Sequence, residues 1–341
     1  MSITPTIDNN NIILILVCKE GYQNIVAFLI EKGADVNCSN EYGITPLMTA
    51  SRYGHSEIAE FLIEKGANID AIGCNGITAL MMAIRFNHSE IAEFLIEKGA
   101  NIDAIGCNGT ALVYAIEEKN TEIAKLLIEK GAKINVTEYY KNRMMIDACT
   151  WGNLEIVELL FAKGVDIYCN YGRYTLTPLI TASRYGHLEV VQFLIDKGAN
   201  VNYECRYDYY SKETALIGAT KEGHISVVKL LVEKGANVNA AMTNDGMTAL
   251  MWASISGRLE IFKFLVENGA NINATRYFEF LGPTALTYAR QFHKDSIINE
   301  NRLKIVKFIT DREKKTVTNN FWDCIKRNMP FSYTRISEKD Q

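Results

Sequence analysis

Apolar and polar residues follow a pattern that recurs about every 33 residues along this chain. Each unit opens with a segment of the form Thr-Pro/Ala-Leu-x-x-Ala, as at Thr45-Pro46-Leu47. A second segment follows a Gly-His pair and places apolar residues at helical spacing, for example Ile58, Ala59, Leu62 and Ile63. The pattern therefore predicts two helices in each unit.

The recurrence is an internal repeat. Residues 55–76 (HSEIAEFLIEKGANIDAIGCNG) return letter for letter as residues 88–109, and chance does not account for an identical string of that length. A glycine after the second apolar segment marks each unit: Gly33, Gly66, Gly99, Gly131, Gly164, Gly198, Gly235 and Gly269. One short unit has been copied along the chain.

The ends of the predicted helices carry chemical signals. The Thr hydroxyl can cap the first helix, and Pro at the next position loses only a donor that had no partner. The recurring Gly can take the left-handed conformation that ends a helix, and the Lys before it complements the helix dipole. Because so small a helix pair cannot bury both apolar faces, the pairs must stack. We expect an all-α solenoid of nine helix-turn-helix repeats joined by β-turn or hairpin loops.

The period and the Thr-Pro-Leu, Gly-His and Gly-Ala-Asp-Val-Asn elements resemble the ankyrin repeat family over roughly residues 7–310. The resemblance implies an ankyrin repeat domain at 1–310 and a partly disordered tail at 311–341. Its implied repeats are 7–39, 40–72, 73–105, 106–137, 138–170, 171–204, 205–241, 242–275 and 276–310. Two repeats depart from the family pattern: the fifth has Arg143-Met144-Met145 in place of Thr-Pro-Leu, and the ninth has extra residues around 294–302.

Composition narrows the class of protein. The chain is 48% hydrophobic and 22% charged, which is typical of an ordered soluble protein. Its net charge of −4 argues against nucleic-acid binding and against an anionic membrane surface. The longest apolar run, Ile12 to Cys18, is too short to span a membrane, and Met1 to Asn11 carries no basic segment of the kind that begins a signal peptide. We expect a cytoplasmic protein, in which the 8 scattered cysteines stay reduced.

Catalytic and metal-binding patterns are missing from the sequence. His55, His88, His187 and His224 occupy one repeat position, which indicates an architectural role. No phosphate-binding loop, nucleophile elbow or zinc motif is present. The prediction is therefore a non-enzymatic protein with no cofactor, no metal and no small-molecule substrate. The alternative, an enzyme in the irregular ninth repeat, lacks any acid–base or nucleophile set.

The positions that vary between repeats predict the binding site. In ankyrin-like solenoids, partners usually dock on the concave side, which the turn tips and the first-helix ends form. Arg and aromatic residues dominate those positions, and these residue types are common at binding hot spots. The candidate residues are Tyr42, Tyr139, Tyr140, Tyr174 and Tyr210 at the turn tips, and Arg52, Tyr53, Arg85, Phe86, Trp151, Arg184 and Tyr185 at the first-helix ends. The competing interpretation is that these aromatics only pack between adjacent repeats.

The leading functional hypothesis is a scaffold that binds one or more protein partners on this surface. The alternative is a targeting adaptor that presents a bound protein to an enzyme or a ubiquitin-ligase complex through the tail. The acidic pair Glu117-Glu118 interrupts the basic series, which argues against a groove that follows a phosphate backbone.

Overall fold

The computed structural model describes residues 9–134, 137–169, 176–206, 212–242, 246–275, 283–290 and 300–314. It divides the chain into two compact units, Met1–Thr181 and Ala182–Gln341, with the division inside one helix. Short helices dominate both units, as expected for an all-α repeat solenoid.

The helices form successive pairs. In the first unit they are α1 (Asn9–Glu20), α2 (Gln23–Glu31), α3 (Pro46–Tyr53), α4 (Ser56–Glu64), α5 (Ala79–Arg85), α6 (Ser89–Glu97), α7 (Ala111–Glu117), α8 (Thr121–Glu129), α9 (Glu138–Trp151) and α10 (Leu154–Ala162). Helix α11 (Pro178–Tyr185) crosses the division, and the second unit continues with α12 (Leu188–Asp196), α13 (Ala215–Glu222), α14 (Ile225–Glu233), α15 (Ala249–Ile255), α16 (Leu259–Glu267) and α17 (Ala285–Arg290). Residues 300–314 are also helical and run across the predicted end of the domain at 310.

The connections between pairs are short turns with little strand. A 3-10 turn covers Cys74–Gly76. Strands β1 (Cys205–Arg206) and β2 (Lys212–Glu213) pair antiparallel. Isolated bridges join Gly106 to Gly109 and Ala241 to Thr248. The loops therefore include the expected hairpin elements.

The predicted start of the first helix is confirmed at most repeats. The Thr45 hydroxyl accepts a hydrogen bond from the Met48 amide at 3.2 Å, and Thr78 accepts one from Met81 at 3.3 Å. Thr177, Thr214 and Thr248 cap their helices in the same way. Thr110 precedes α7 without such a bond.

The predicted end of the second helix is also confirmed. The eight recurring glycines, from Gly33 to Gly269, have φ between 85° and 98°, which is the left-handed region. A Cβ built on Gly66 or Gly99 meets no atom within 4 Å, so only the backbone conformation favours glycine there.

The fifth repeat differs from the prediction. Tyr139 and Tyr140 were expected in a turn, but they lie in the first turn of α9, which has 14 residues where the other inner first helices have 7 or 8. The Thr137 hydroxyl caps this helix by accepting from the Tyr140 amide at 3.3 Å. Since the fifth repeat lacks the Thr-Pro-Leu that starts a helix later, α9 begins at the earlier cap.

Each pair depends on its neighbour to bury its apolar surface. First helices pack on first helices (α1 on α3, α3 on α5, α5 on α7, α7 on α9), and second helices pack likewise. Ile25 and Ile58 occupy the same repeat position. Ile58, with α2 before it, is 2% exposed, whereas Ile25 is 43% exposed and no helix pair precedes it among the described residues. Burial therefore comes from stacking and not from the single pair.

Polar contacts join successive repeats at a fixed point. Nε2 of His88 donates to the backbone carbonyl of Arg52 at 3.0 Å, and His55 reaches the carbonyl of Lys19 at 2.9 Å. In the second unit, His224 binds the carbonyl of Arg184 at 3.0 Å. The architectural role predicted for the histidines is confirmed for these three.

The histidine ring lies over a glycine of the preceding repeat. A Cβ built on Gly54 would stand 2.5 Å from the His88 ring, and Gly54 also has a φ of 79°. The equivalent position holds Asn87 and Lys119 in the next two repeats, both left-handed, with φ of 60° and 61°. There the following repeat supplies Asn120 or Asn153 in place of His, so no ring stands over the side chain.

We expect Gly54→Ala to destabilise the protein more than Gly66→Ala. Both changes place a Cβ on a left-handed residue, at about 1–2 kcal/mol. Gly54→Ala also displaces His88 and its hydrogen bond, which adds about 1 kcal/mol. Chemical denaturation followed by circular dichroism measures both. Equal losses for the two variants would contradict the contact between Gly54 and His88.

Candidate protein-binding surface

The sequence-predicted residues of the first unit lie at the ends of the first helices. Arg52 and Tyr53 end α3, Arg85 ends α5, Phe86 follows it, and Trp151 ends α9. We call these five residues, together with Lys19 at the end of α1 and Lys119 after α7, the helix-end surface.

Cations and aromatic rings of adjacent repeats meet along this surface. Nζ of Lys19 lies 5.8 Å from the centre of the Tyr53 ring. Cζ of Arg52 lies 4.8 Å from the centre of the Phe86 ring and 5.6 Å from that of Tyr53. The Lys19–Tyr53 and Arg52–Phe86 contacts each link one repeat to the next. Both distances lie within the range of cation–π attraction.

Lys119 and Trp151 form the closest such pair. Nζ of Lys119 lies 3.7 Å from the centre of the Trp151 ring. Sequence reasoning missed Lys119, because it took Glu117 and Glu118 as the helix-end pair of that repeat. The available signal was that Lys119-Asn120 replaces the Gly-His of other repeats.

The aromatic rings stay partly open to solvent in spite of these contacts. Tyr53, Phe86, Trp151 and, in the second unit, Tyr185 are between 40% and 53% exposed. Packing between repeats thus buries only about half of each of these side chains. The exposed remainder is available for contact with another molecule.

Glu117 does not oppose the cations of this surface. Its carboxylate is ion-paired with Arg143, whose Nη1 also donates to the Asn108 carbonyl at 3.0 Å. Asp147 lies 3.6 Å from the same guanidinium, and burial raises the pKa of Asp147 to about 6 although Arg143 lowers it. The unusual Arg143 of the fifth repeat therefore neutralises Glu117.

Arg184 and Tyr185 of the second unit have different surroundings. Arg184 lies within ion-pair distance of Glu213 (3.9 Å) and Glu222 (3.8 Å), and its side chain is largely buried. Burial raises the pKa of Glu213, whose exposed fraction is 1%. The Tyr185 ring stacks on His187 at 6.5 Å. Arg184 thus links strand β2 to helix α13, while Tyr185 faces solvent.

The tyrosines predicted at turn tips have mixed outcomes. Tyr42 is exposed in the turn before α3, and Tyr139 is exposed at the start of α9 with Tyr140 edge-on to it at 5.2 Å. Tyr174 and Tyr210 lie outside the described residues.

The buried thiols are poor nucleophiles. Burial raises the pKa of Cys18, Cys169 and Cys205 to about 12 and that of Cys38 to about 11, so these groups stay protonated. Within the described ranges no three His, Cys, Asp or Glu side chains gather as a metal site would require. No helix in that part of the chain has the length and apolarity to cross a membrane.

Comparison with known proteins agrees with this architecture. A family model described as "Ankyrin repeats (3 copies)" matches residues 3–72, 70–138, 139–205 and 204–276. No curated protein matches the chain. The family matches cover α1 to α16, and α17 with residues 300–314 lies beyond them, so the ninth repeat stays a prediction. The chain belongs to the ankyrin repeat family.

Proposed function

We propose that this protein is a non-enzymatic scaffold that binds one or more protein partners on its concave side, through the helix-end surface and Tyr185. Ankyrin repeats generally mediate protein–protein interaction, and the family is typically non-enzymatic. The observation that carries the proposal is the half-exposed aromatic residue at the same place in several repeats, beside a cation.

The energetics of interfaces support this choice of surface. Tyr, Trp and Arg are enriched at binding hot spots, because they bury a large area with little loss of rotamer freedom. The rings of Tyr53, Phe86 and Trp151 are already restrained by cations of neighbouring repeats, which lowers the entropy lost on binding. The surface is therefore partly preorganised before a partner binds.

The proposal also covers the ligands and partners that we expect this protein not to bind, and its location in the cell. We propose no cofactor, metal or small-molecule substrate, and no nucleic-acid or membrane partner. We also propose a cytoplasmic location, since all seven cysteines in the part of the chain that the structure describes are free thiols, which suits a reducing compartment. The adaptor alternative depends on the tail, of which 315–341 lie outside the described residues, and nothing in the described part favours it.

We expect the combined variant Tyr53→Ala, Trp151→Ala and Tyr185→Ala to bind its partner more than about a hundredfold more weakly, since one central hot-spot residue contributes about 2 kcal/mol or more. The partner is first identified by affinity capture from a eukaryotic lysate with mass spectrometry. Titration calorimetry then compares the variant with the wild-type protein at matched helicity.

A matched control removes three equally exposed aromatics elsewhere: Phe28→Ala, Tyr168→Ala and Tyr203→Ala. This control should bind like the wild type. Equal affinity of the first variant and the wild type would assign binding to another face. Loss of helicity together with binding would support the interpretation that the rings only pack.

A further inference from the structure

Two arginines of the helix-end surface have unused hydrogen-bond donors. Arg52 and Arg85 are exposed, and among the described residues neither guanidinium has a hydrogen bond or an ion pair. By contrast, Arg143 and Arg184 meet carboxylates, and Arg258 donates to the Glu222 carbonyl at 2.9 Å.

The position of Arg52 is nevertheless restrained. Its guanidinium lies near the rings of Tyr53 and Phe86, and its backbone carbonyl is bound by His88. A guanidinium held near aromatic rings keeps its N–H groups free at its edge, where a carboxylate can accept two parallel hydrogen bonds.

Lys119 extends this arrangement to a third repeat. Its ammonium lies over the Trp151 ring, and it too has no ion pair among the described residues. Arg52 and Arg85 lie in the last turns of α3 and α5, and Lys119 lies just after α7. These three helices pack in succession within the first unit. Packed helices lie about 8–10 Å apart, so we expect about that distance between successive cations of the row Arg52, Arg85 and Lys119.

We infer that this row recognises an acidic protein segment in an extended, polyproline II-like conformation, with a carboxylate at about every third residue. A polyproline II helix has about three residues per turn and rises about 3.1 Å per residue, so the third residue returns to the same side after about 9 Å. That distance matches the spacing of packed helices, and hence the spacing that we expect of the cations. The inference rests on the proposed function and names the chemistry of its partner.

The charges favour a protein segment over a nucleic acid. Two exposed carboxylates are next to cations of the helix-end surface in the chain: Glu20 follows Lys19 at the end of α1, and Glu118 precedes Lys119 after α7. A nucleic-acid strand, with a phosphate about every 3.4 Å of helix axis, would bring phosphates against these carboxylates. A peptide can place uncharged residues there, and aromatic or apolar ones against Tyr53 and Phe86.

The test uses two fluorescein-labelled peptides of one composition: four Glu-Pro-Tyr triplets, and an isomer with the four Glu residues consecutive. Fluorescence anisotropy at low ionic strength measures binding to the full chain. We expect the triplet peptide to bind more tightly than the isomer. The variant Arg52→Gln, Arg85→Gln and Lys119→Gln should bind it about a hundredfold more weakly, at about fivefold for each exposed ion pair.

A variant with the same change in charge is the control. Lys65→Gln, Lys98→Gln and Lys130→Gln remove three cations from the second-helix ends of the same repeats, and binding should change by less than about twofold. An equal loss of peptide binding in both variants would show that binding depends only on net charge, and it would overturn the inference. Equal binding of the two peptides, or binding of neither, would overturn the inference.

A single-stranded oligothymidylate is the third probe. If it binds as tightly as the triplet peptide and depends on the same three cations, the row is a nucleic-acid site and the inference is wrong. Failure of the peptide test, with the cellular partner still lost on removal of Tyr53, Trp151 and Tyr185, would overturn the acidic partner alone and leave the proposed function standing.

Discussion

The joint between one repeat and the next is a backbone carbonyl held by a side chain from the following repeat. His88 binds the carbonyl of Arg52 across a glycine that has no Cβ to block the ring. The stacking that buries residues such as Ile58 needs the helix pairs at a fixed separation. The joint supplies that separation at the end of the first helix, where a backbone carbonyl would otherwise lack a protein partner.

The same joint connects fold to function. The carbonyl of the apolar Ile255 is held by Arg302, and the charged residues whose carbonyls are held are Lys19, Arg52 and, in the second unit, Arg184 and Glu222. Their side chains carry the charges that vary between repeats. A contact of the backbone that recurs from repeat to repeat can thus display a variable side chain, so that one architecture presents different surfaces. Lys119 shows the limit of this rule, since it sits at the glycine position itself and projects over Trp151.

The sequence was sufficient to predict features that depend on residues close in the chain. Thr45 caps its helix, Gly66 ends one, and both signals lie within a few positions of their effect. It was insufficient where the outcome depends on a residue one repeat away. The pairing of Glu117 with Arg143 and of Lys119 with Trp151 joins residues that no local pattern connects. The early start of α9 escaped prediction because Thr137 caps it outside the expected motif.

The central claim is that Gly54 and His88 act as one unit, and a double-mutant cycle tests it most directly. Gly54→Ala, His88→Asn and the double variant are compared with wild type by chemical denaturation. The chain already combines a non-glycine residue with Asn at the equivalent joints of Asn87 with Asn120 and Lys119 with Asn153. We therefore expect the double variant to lose less stability than the sum of the single variants, by about 1 kcal/mol or more. Strict additivity of the two losses would contradict the account.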